Sequence, residues 1–581
     1  MRLPINNRLL KTTLLTGTTL ALTACMGDSN GDLTEPAMNP AVPGTLLSCT
    51  DLGTKALLSN TTITSATLVA SGGLTVASVT TPVPEHCLVK GDMNRRTSSV
   101  DGKAYAIGFE MRLPTAWNGR YYYQANGGID GSVVTATGPN SGGSPVSTAL
   151  HMGFAVLSSD AGHAGPPWWG IDPQARLDYG YQAVGTLTPM AKNLIKAAYG
   201  KAPDRSYFGG CSNGGRHAMI AAARYSDQYD GILAGAPGFH LPKAAVAQLY
   251  KVQQYASIAP TKVATGADAG QADISSAVTA TEFQMLGAKI RAKCDALDGV
   301  TDGIVSDVKA CQATFNIKTD VPTCTGARDG TCLTDAQKNV LGNIFAGAKN
   351  SKGESLYSNF YYDPGVAGAN YALWHFTNST ALDPGAVAFI FTTPPSTLAA
   401  FLATTGLQYG LNFNLDTGYP KIFATDAVYK ESPWSYMTPP NETDLSALRN
   451  RGARLLVYHG SADPIFSAAD TVNWYDALQA ANNGAAADFA RLFVVPGMNH
   501  CSGGPATDQF DMLTTLVNWV EKGTMPYRVT ANARGAGANV VNTEVPATWS
   551  AARTRPLCAY PTVARYNGVG DIENAANFTC Q

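Results

Sequence analysis

The pentapeptide Gly210-Cys211-Ser212-Asn213-Gly214 has the form G-x-S-x-G. Glycines on either side of a serine permit a turn too tight for side chains, which would lift the Ser212 hydroxyl clear of the backbone. A serine hydroxyl is a poor nucleophile at neutral pH and needs a histidine base steadied by an acid. Of the eight histidines, His500 is the best placed, because it follows the apolar run 492–495 through Pro496-Gly497-Met498-Asn499 and so sits on a loop after a strand. Asp463 stands the same way, after the run 454–460 and Ser461-Ala462, while Asp470, the competing acid, falls further into the next helix-like stretch. His459 lies inside an apolar run and reads as a packed strand residue, and His217 belongs to the helix after Ser212. A plain glycine turn at 210–214, or Cys211 as the nucleophile, are the alternatives.

These side chains need a rigid frame. From residue 49 to about 240, strand-like apolar runs (119–124, 153–159, 206–210, 231–236) alternate with helix-like ones (179–198, 215–225), the pattern of a parallel α/β sheet. Strand signals return at 454–460 and 491–496, with a helix-like stretch over 508–521. The strand–turn–helix around Ser212 is what a nucleophile elbow requires, and Ser212, Asp463 and His500 fall in the chain order nucleophile, acid, base of an α/β-hydrolase. Residues 241–440 differ: they are rich in Ala, Thr, Asn, Gly and Tyr, without strand–helix alternation. The expected organisation is therefore an α/β catalytic domain of residues 49–240 and 441–581, interrupted by a large inserted lid over 241–440.

At the N-terminus, Arg2, Arg8 and Lys11 precede an uncharged stretch over 12–24 that ends in Leu22-Thr23-Ala24-Cys25. The stretch is shorter than the roughly 20 residues a membrane helix needs and reads as a secretion signal over 1–24. Small residues before a cysteine resemble the lipobox of bacterial lipoproteins, with Cys25 lipidated, and ordinary cleavage is the alternative. Residues 25–48 read as a tether. The chain is expected to be exported, held in the bacterial cell envelope by that lipid or else periplasmic or secreted, and to touch membrane only through the anchor. With 41 Lys+Arg against 43 Asp+Glu and a charged fraction of 14%, there is no basic field to neutralise a run of phosphates, which excludes nucleic acid as a partner. The 45% hydrophobic fraction suffices for a large core and excludes wholesale disorder.

Ten cysteines remain beside Cys25, and an even number in an exported chain reads as disulfides. Several fall in sequence-local pairs (Cys49 with Cys87, Cys294 with Cys311, Cys324 with Cys332, Cys558 with Cys580), which leaves Cys211 and Cys501. If bonded, these two would tie the elbow to the histidine loop. No C-x-x-C or H-x-x-x-H is present to favour zinc.

Cys211-Ser212, Asp463 and His500-Cys501 resemble the linked motif of the tannase/feruloyl esterase family, and the resemblance runs through 206–215, 229–243, 294–305, 489–511 and 552–580. Among its members the chain most resembles the bacterial mono(2-hydroxyethyl) terephthalate hydrolases. The resemblance implies an α/β-hydrolase domain with a large lid, five disulfides paired as above, and hydrolysis of esters of aromatic acids. The oxyanion hole, which needs two backbone N–H groups, would use Asn213 and, from Asn126-Gly127-Gly128, Gly128.

Asp295, Asp298 and Asp302 crowd one short segment closed by Cys311. Such carboxylates repel one another unless a hard cation is present. The spacing is not that of an EF-hand, but it resembles the family's lid calcium loop, in which the carbonyls of Val300 and Ile304 complete the shell around a structural Ca²⁺. Solvated Asp-Gly turns are the alternative. Between Lys352 and Lys421 there is no Lys or Arg, whereas Trp374, Phe376, Phe389 and Phe391 are present. Such a lid suits a flat aromatic acyl group, with Trp374 and Phe391 as the expected substrate contacts. The terephthalate-monoester enzymes are expected to grip the free carboxylate with a lid arginine, and around 391–395 there is none. That departure puts terephthalate monoesters in doubt and leaves feruloyl and gallate esters open. The competing readings are a non-catalytic binding lipoprotein on a hydrolase scaffold, or a serine hydrolase of another class, a thioesterase or peptidase.

Overall fold

The computed structural model describes residues 36–581 apart from 78, 140, 141 and 143–145. The expected signal segment, Cys25 and the first part of the tether lie outside the described residues. The central sheet is built of β1 (Thr61–Val69), β2 (His86–Thr97), β3 (Ala104–Pro114), β4 (Arg120–Gln124), β5 (Ala155–Ser159), β6 (Arg205–Cys211), β7 (Gly231–Gly235), β8 (Arg454–Gly460) and β9 (Ala490–Val495). Its order is β9-β8-β7-β6-β4-β5-β3-β2-β1. The six strands from β9 to β5 run parallel, and β3, β2 and β1 extend that sheet antiparallel.

Strand residues alternate faces, and both faces are apolar here, so both are covered. Tyr121, Tyr123, Phe208, Ile232 and Leu455 pack on one face, against α1 (Ala183–Tyr199), α2 (Asn213–Arg224) and α4 (Ala468–Ala481). Tyr122, Tyr207, Leu233 and Leu456 pack on the other, against Leu513, Leu516 and Trp519 of α5 (Met512–Lys522). Full burial of each such side chain is worth roughly 1.5–3 kcal/mol, which makes the two layers the main source of stability. The antiparallel extension was not expected from the sequence. Its signal is strict alternation in β3, where Tyr105, Ile107, Phe109, Met111 and Leu113 are all buried.

Residues 241–440 are helical, with no β-strand among the described residues of this span. Its first helix, α3 (Leu241–Ala256), is buried along most of its length and packs with Phe283, Leu341 and Phe389 in a core separate from the two sheet layers. The span's two ends meet. His240, just before α3, places Nε2 2.9 Å from Glu442 and Nδ1 2.9 Å from Asp470. Burial pulls the His240 pKa down, but the two carboxylates outweigh it and raise it to about 9. Between pH 6.5 and 9 the folded state therefore holds a proton that the unfolded chain has released, so stability is fully present below 6.5 and falls as pH rises through this window. His240→Gln should flatten that part of the melting-temperature profile, read by calorimetry from pH 6 to 10. An unchanged slope would show that the staple does not titrate.

Residues 36–48, expected as tether, lie against the body. Gly44–Thr45 pairs with Ala116–Trp117, and the Ala41 N–H donates to Glu521. The physical reason is that these residues complete hydrogen bonds at the edge of the folded domain.

Candidate active site

Ser212 stands between β6 and α2 with φ +66°, a backbone conformation that L side chains rarely adopt. The flanking glycines make that turn possible. A Cβ at Gly210 or at Gly214 would come within 2.4 Å of the Ala125 carbonyl oxygen, so neither position admits a side chain. The strain stored at Ser212 is of the kind that marks functional sites.

The loops after β8 and β9 bring Asp463 and His500 to this turn. His500 Nε2 lies 2.8 Å from Ser212 Oγ, and His500 Nδ1 lies 2.7 Å from Asp463 Oδ2. A carboxylate only accepts, so Nδ1 carries the proton in the neutral ring and Nε2 accepts from the serine hydroxyl. Asp463 is buried, and its Oδ1 accepts from the N–H groups of Ile465 and Phe466 at 2.9 Å. Burial would raise its pKa, but the charge of His500 and hydrogen bonds from His459 and His500 prevail and hold it well below the usual carboxylate range. It is therefore ionised at any working pH. His459 was read from sequence as a packed strand residue, and it is fully buried. It also places Nε2 3.2 Å from Asp463 Oδ2 while its Nδ1 faces Thr471 at 2.8 Å, so it supports the acid from behind. Asp470 is bound to His240 and not to His500.

Cys211 and Cys501 are joined, closing a loop of 290 residues and tying the elbow to the histidine loop. The other four pairs, Cys49–Cys87, Cys294–Cys311, Cys324–Cys332 and Cys558–Cys580, are bonded as expected. For the long-range bond the chain-entropy contribution is roughly 2–5 kcal/mol. Its position also restricts how far Ser212 and His500 can separate.

The loop after β4 flanks Ser212, for a Cβ at Gly127 would sit 3.8 Å from Ser212 Cβ. Gly128 has φ +65°, and its N–H has no backbone acceptor among the described residues. Asn213 is the first residue of α2, where backbone N–H groups have no intrahelical acceptor. Sequence reasoning missed the strut between these two groups. Asp130 Oδ2 receives the Asn213 amide at 2.8 Å and lies 2.9 Å from His217 Nε2, so it links the glycine loop to the start of α2. Burial pushes the Asp130 carboxyl up to about 7 against the pull of His163 and Arg216. Arg216 in turn donates to Asn213 Oδ1 at 2.7 Å. The signal lay only in Asp130 following Gly127-Gly128; its partners are more than 80 residues away in the chain.

Ser212 and His500 open on a cleft of about 500 Å³, walled by Tyr122, Val134, Leu233, Trp374 and Tyr458. The Trp374 ring meets the His500 ring edge-on at 5.1 Å. Phe391 is 1% exposed and belongs to the helical core, not to the cleft wall. No Lys, Arg, Asp or Glu side chain lines the cleft among the described residues.

The acidic loop lies elsewhere, in the 3₁₀ turn Asp295–Asp298 and the residues after it. Asp295 Oδ1 accepts from the N–H groups of Asp302 and Gly303, and Asp298 Oδ2 from that of Ser306. Asp302 is paired with Arg555. Among the described residues no three acidic, His or Cys side chains converge as metal ligands, so any cation here would need backbone carbonyls.

Residues 87–581 match the family model described as tannase and feruloyl esterase. The chain is 40% identical to the mono(2-hydroxyethyl) terephthalate hydrolase of Piscinibacter sakaiensis, over 86% of this chain and 85% of that one. It is 29% identical to a probable feruloyl esterase of Arthroderma benhamiae over 81% of each chain. The crystal structure of feruloyl esterase B from Aspergillus oryzae superposes with a TM-score of 0.71 at 24% identity, covering 92% of this chain and 99% of that one, and shows the same fold. The mostly parallel sheet with its helical lid is thus an α/β-hydrolase fold, and the chain, matched from β2 to its last residue, belongs to the tannase and feruloyl esterase family of carboxylic-ester hydrolases.

Proposed function

We propose that the protein is an exported serine esterase that cleaves esters of aromatic acids through Ser212, His500 and Asp463. The observation that carries this reading is the unbroken hydrogen-bonded chain from Ser212 Oγ through His500 to the ionised Asp463, at 2.8 and 2.7 Å. Ser212 attacks the ester carbonyl while His500 Nε2 takes its proton, and Asp463 steadies the imidazolium. The carbonyl oxygen, now an anion, accepts from the N–H groups of Gly128 and Asn213, whose spacing Asp130 maintains. His500 then gives the proton to the departing alcohol, and a water molecule activated by the same nitrogen releases the acid.

The cleft favours an uncharged aryl acyl group. Trp374 offers a flat wall beside the base, and no cationic side chain among the described residues would meet a free carboxylate. Terephthalate monoesters carry such a carboxylate, whereas feruloyl and gallate esters do not. A comparison of kcat/KM for methyl ferulate, methyl gallate and mono(2-hydroxyethyl) terephthalate tests this. The two neutral esters should be preferred, and a strong preference for the terephthalate ester would refute the argument from the uncharged cleft.

The acidic loop is proposed to hold a structural Ca²⁺ through Asp295, Asp298 and Asp302 with the carbonyls of Val300 and Ile304. Two features of the donor set fit. Asp295 and Asp298 are buried with no ion-pair partner among the described residues, and burial pushes Asp298 up to about 7, with Asp302's charge adding to the shift. The ion would act by neutralising this loop, away from the chemistry. Chelation with EGTA should lower the melting temperature by several degrees, on the order of 1–3 kcal/mol, and added Ca²⁺ should restore it. An unchanged melting temperature would remove calcium from the account.

A further inference from the structure

A turn of the lid is seated between the two loops that carry Asp463 and His500. It is Asp363-Pro364-Gly365, at the start of the short 3₁₀ turn Pro364–Ala367, and none of its three residues lines the cleft. Asp363 is fully buried and has no ion-pair partner among the described residues. Its Oδ2 accepts from Ser461 Oγ at 2.5 Å and from the Gly497 N–H at 3.2 Å, a donor it shares with Ser461 Oγ, and its Oδ1 accepts from the Gly365 N–H at 2.7 Å. Ser461 directly follows β8 and precedes Asp463 by two residues; Gly497 follows β9 after Pro496 and precedes His500 by three. One carboxylate oxygen therefore joins the two loops at the point where they leave the sheet.

A carboxylate suits this bridge, because three donors meet it and two of them are backbone N–H groups that cannot turn away. Burying such a group is costly, and burial raises the Asp363 pKa. An apolar side chain would fill the same space without that cost. The rest of the turn fits the same two loops. Asn499, beside His500, donates its amide to the Gly365 carbonyl at 2.9 Å and to the Ala462 carbonyl, beside Asp463, at 3.2 Å. A Cβ at Gly365 would lie 2.4 Å from Ala462 Cβ and 2.6 Å from the Gly497 oxygen, so the turn seats only as glycine.

The lid holds the segment after β8 at two further points. Lys251 Nζ of α3 donates to the Pro464 carbonyl at 2.6 Å, and the Tyr357 hydroxyl accepts from the Ser467 N–H at 3.0 Å. These contacts fasten that segment to the lid, whereas Asp363 also ties it to the His500 loop. We propose that Asp363 is a positioning residue for the ester hydrolysis: by joining Ser461 to Gly497 it sets the spacing and direction in which Asp463 meets His500 Nδ1, and so couples the lid to the proton transfer. This rests on Asp463 and His500 acting as proposed above. Misplacement of reacting groups by about 1 Å costs on the order of 100-fold in rate, which sets the scale of the expected effect.

The test is a double-mutant cycle in the full chain, with kcat and KM for methyl ferulate and a melting curve for each variant. Asp363→Ala removes the bridge and should lower kcat by about 10- to 100-fold, with KM within about threefold of the parent because Asp363 does not line the cleft. Asp363→Asn keeps the side-chain length and one acceptor, and Ser461 Oγ can turn to accept from its NH₂, so the loss should shrink to about three- to tenfold. This milder variant decides the matter should Asp363→Ala fail to fold. In the Asp463→Asn background the His500 proton sits on Nε2 and the spacing no longer matters, so either substitution should change kcat by less than about twofold. An aspartate that served the fold alone would lower activity equally in both backgrounds. Equal losses in the two backgrounds, a loss confined to KM, or a folded Asp363→Ala, or failing that Asp363→Asn, with kcat within about twofold of the parent would each overturn the proposal. Full turnover by Asp463→Asn alone would instead remove the reading of the triad, and the proposal with it.

Discussion

Replacement of Ser212 by alanine is expected to lower kcat for a neutral aryl ester by about 10⁴–10⁶, with KM changed only a few-fold. The hydroxyl lost is the one that lies 2.8 Å from His500 Nε2. The cleft walls and the oxyanion donors remain, so binding persists and a residual rate above the uncatalysed one survives. His500→Ala should cost a similar amount, and the double variant should be little worse than either, because nucleophile and base act as one unit. The check is steady-state kinetics on methyl ferulate for the three variants and the parent. Additive losses, or full turnover by Ser212→Ala, would show that the chemistry is done elsewhere.

Asp463→Asn is expected to lower kcat by about 10⁴ while leaving the fold and KM nearly unchanged. The size follows from the hydrogen bonds around the carboxylate. Oδ1 receives two backbone N–H groups, from Ile465 and Phe466, so an asparagine must place its oxygen there. Its NH₂ then faces His500 Nδ1, which is forced to accept instead of donate. The imidazole proton moves to Nε2, the atom that should take the serine proton, and the base is lost although every heavy atom stays in place. Because His459 also donates to Asp463 Oδ2, its pairing is disturbed by the same change. The measurement is kcat and KM beside a melting curve. A loss of tenfold or less would mean that Asp463 does not set the tautomer.

The meeting of Ser212, His500 and Asp463 was legible in sequence, because each of the three follows a short apolar strand, and chain order with loop position separates them from residues such as Asp470. The parallel part of the sheet was legible for the same reason. The antiparallel strands β1 to β3 were not, although β3 alternates strictly, because nothing in the residues says which edge of the sheet they join. Asp130 was missed since its role exists only once Asn213 and His217 are folded onto it. His459 was placed correctly in a strand, yet its second contact depends on the chain turning back four residues later to bring Asp463 beneath it. Phe391 shows the limit of composition: an aromatic side chain in a cation-free segment fits a core as well as it fits a cleft, and here it is core. Trp374, from the same segment, stands against the His500 ring.

The most direct test of Ser212 as the nucleophile is labelling with an alkyl fluorophosphonate, followed by intact mass measurement and peptide mapping. The expected result is one adduct per chain, on the peptide containing Ser212, with activity lost in proportion to labelling and no adduct on the Ser212→Ala protein. Inactivation with the adduct on another residue, or a fully labelled Ser212 in a protein that still turns over methyl ferulate, would contradict it.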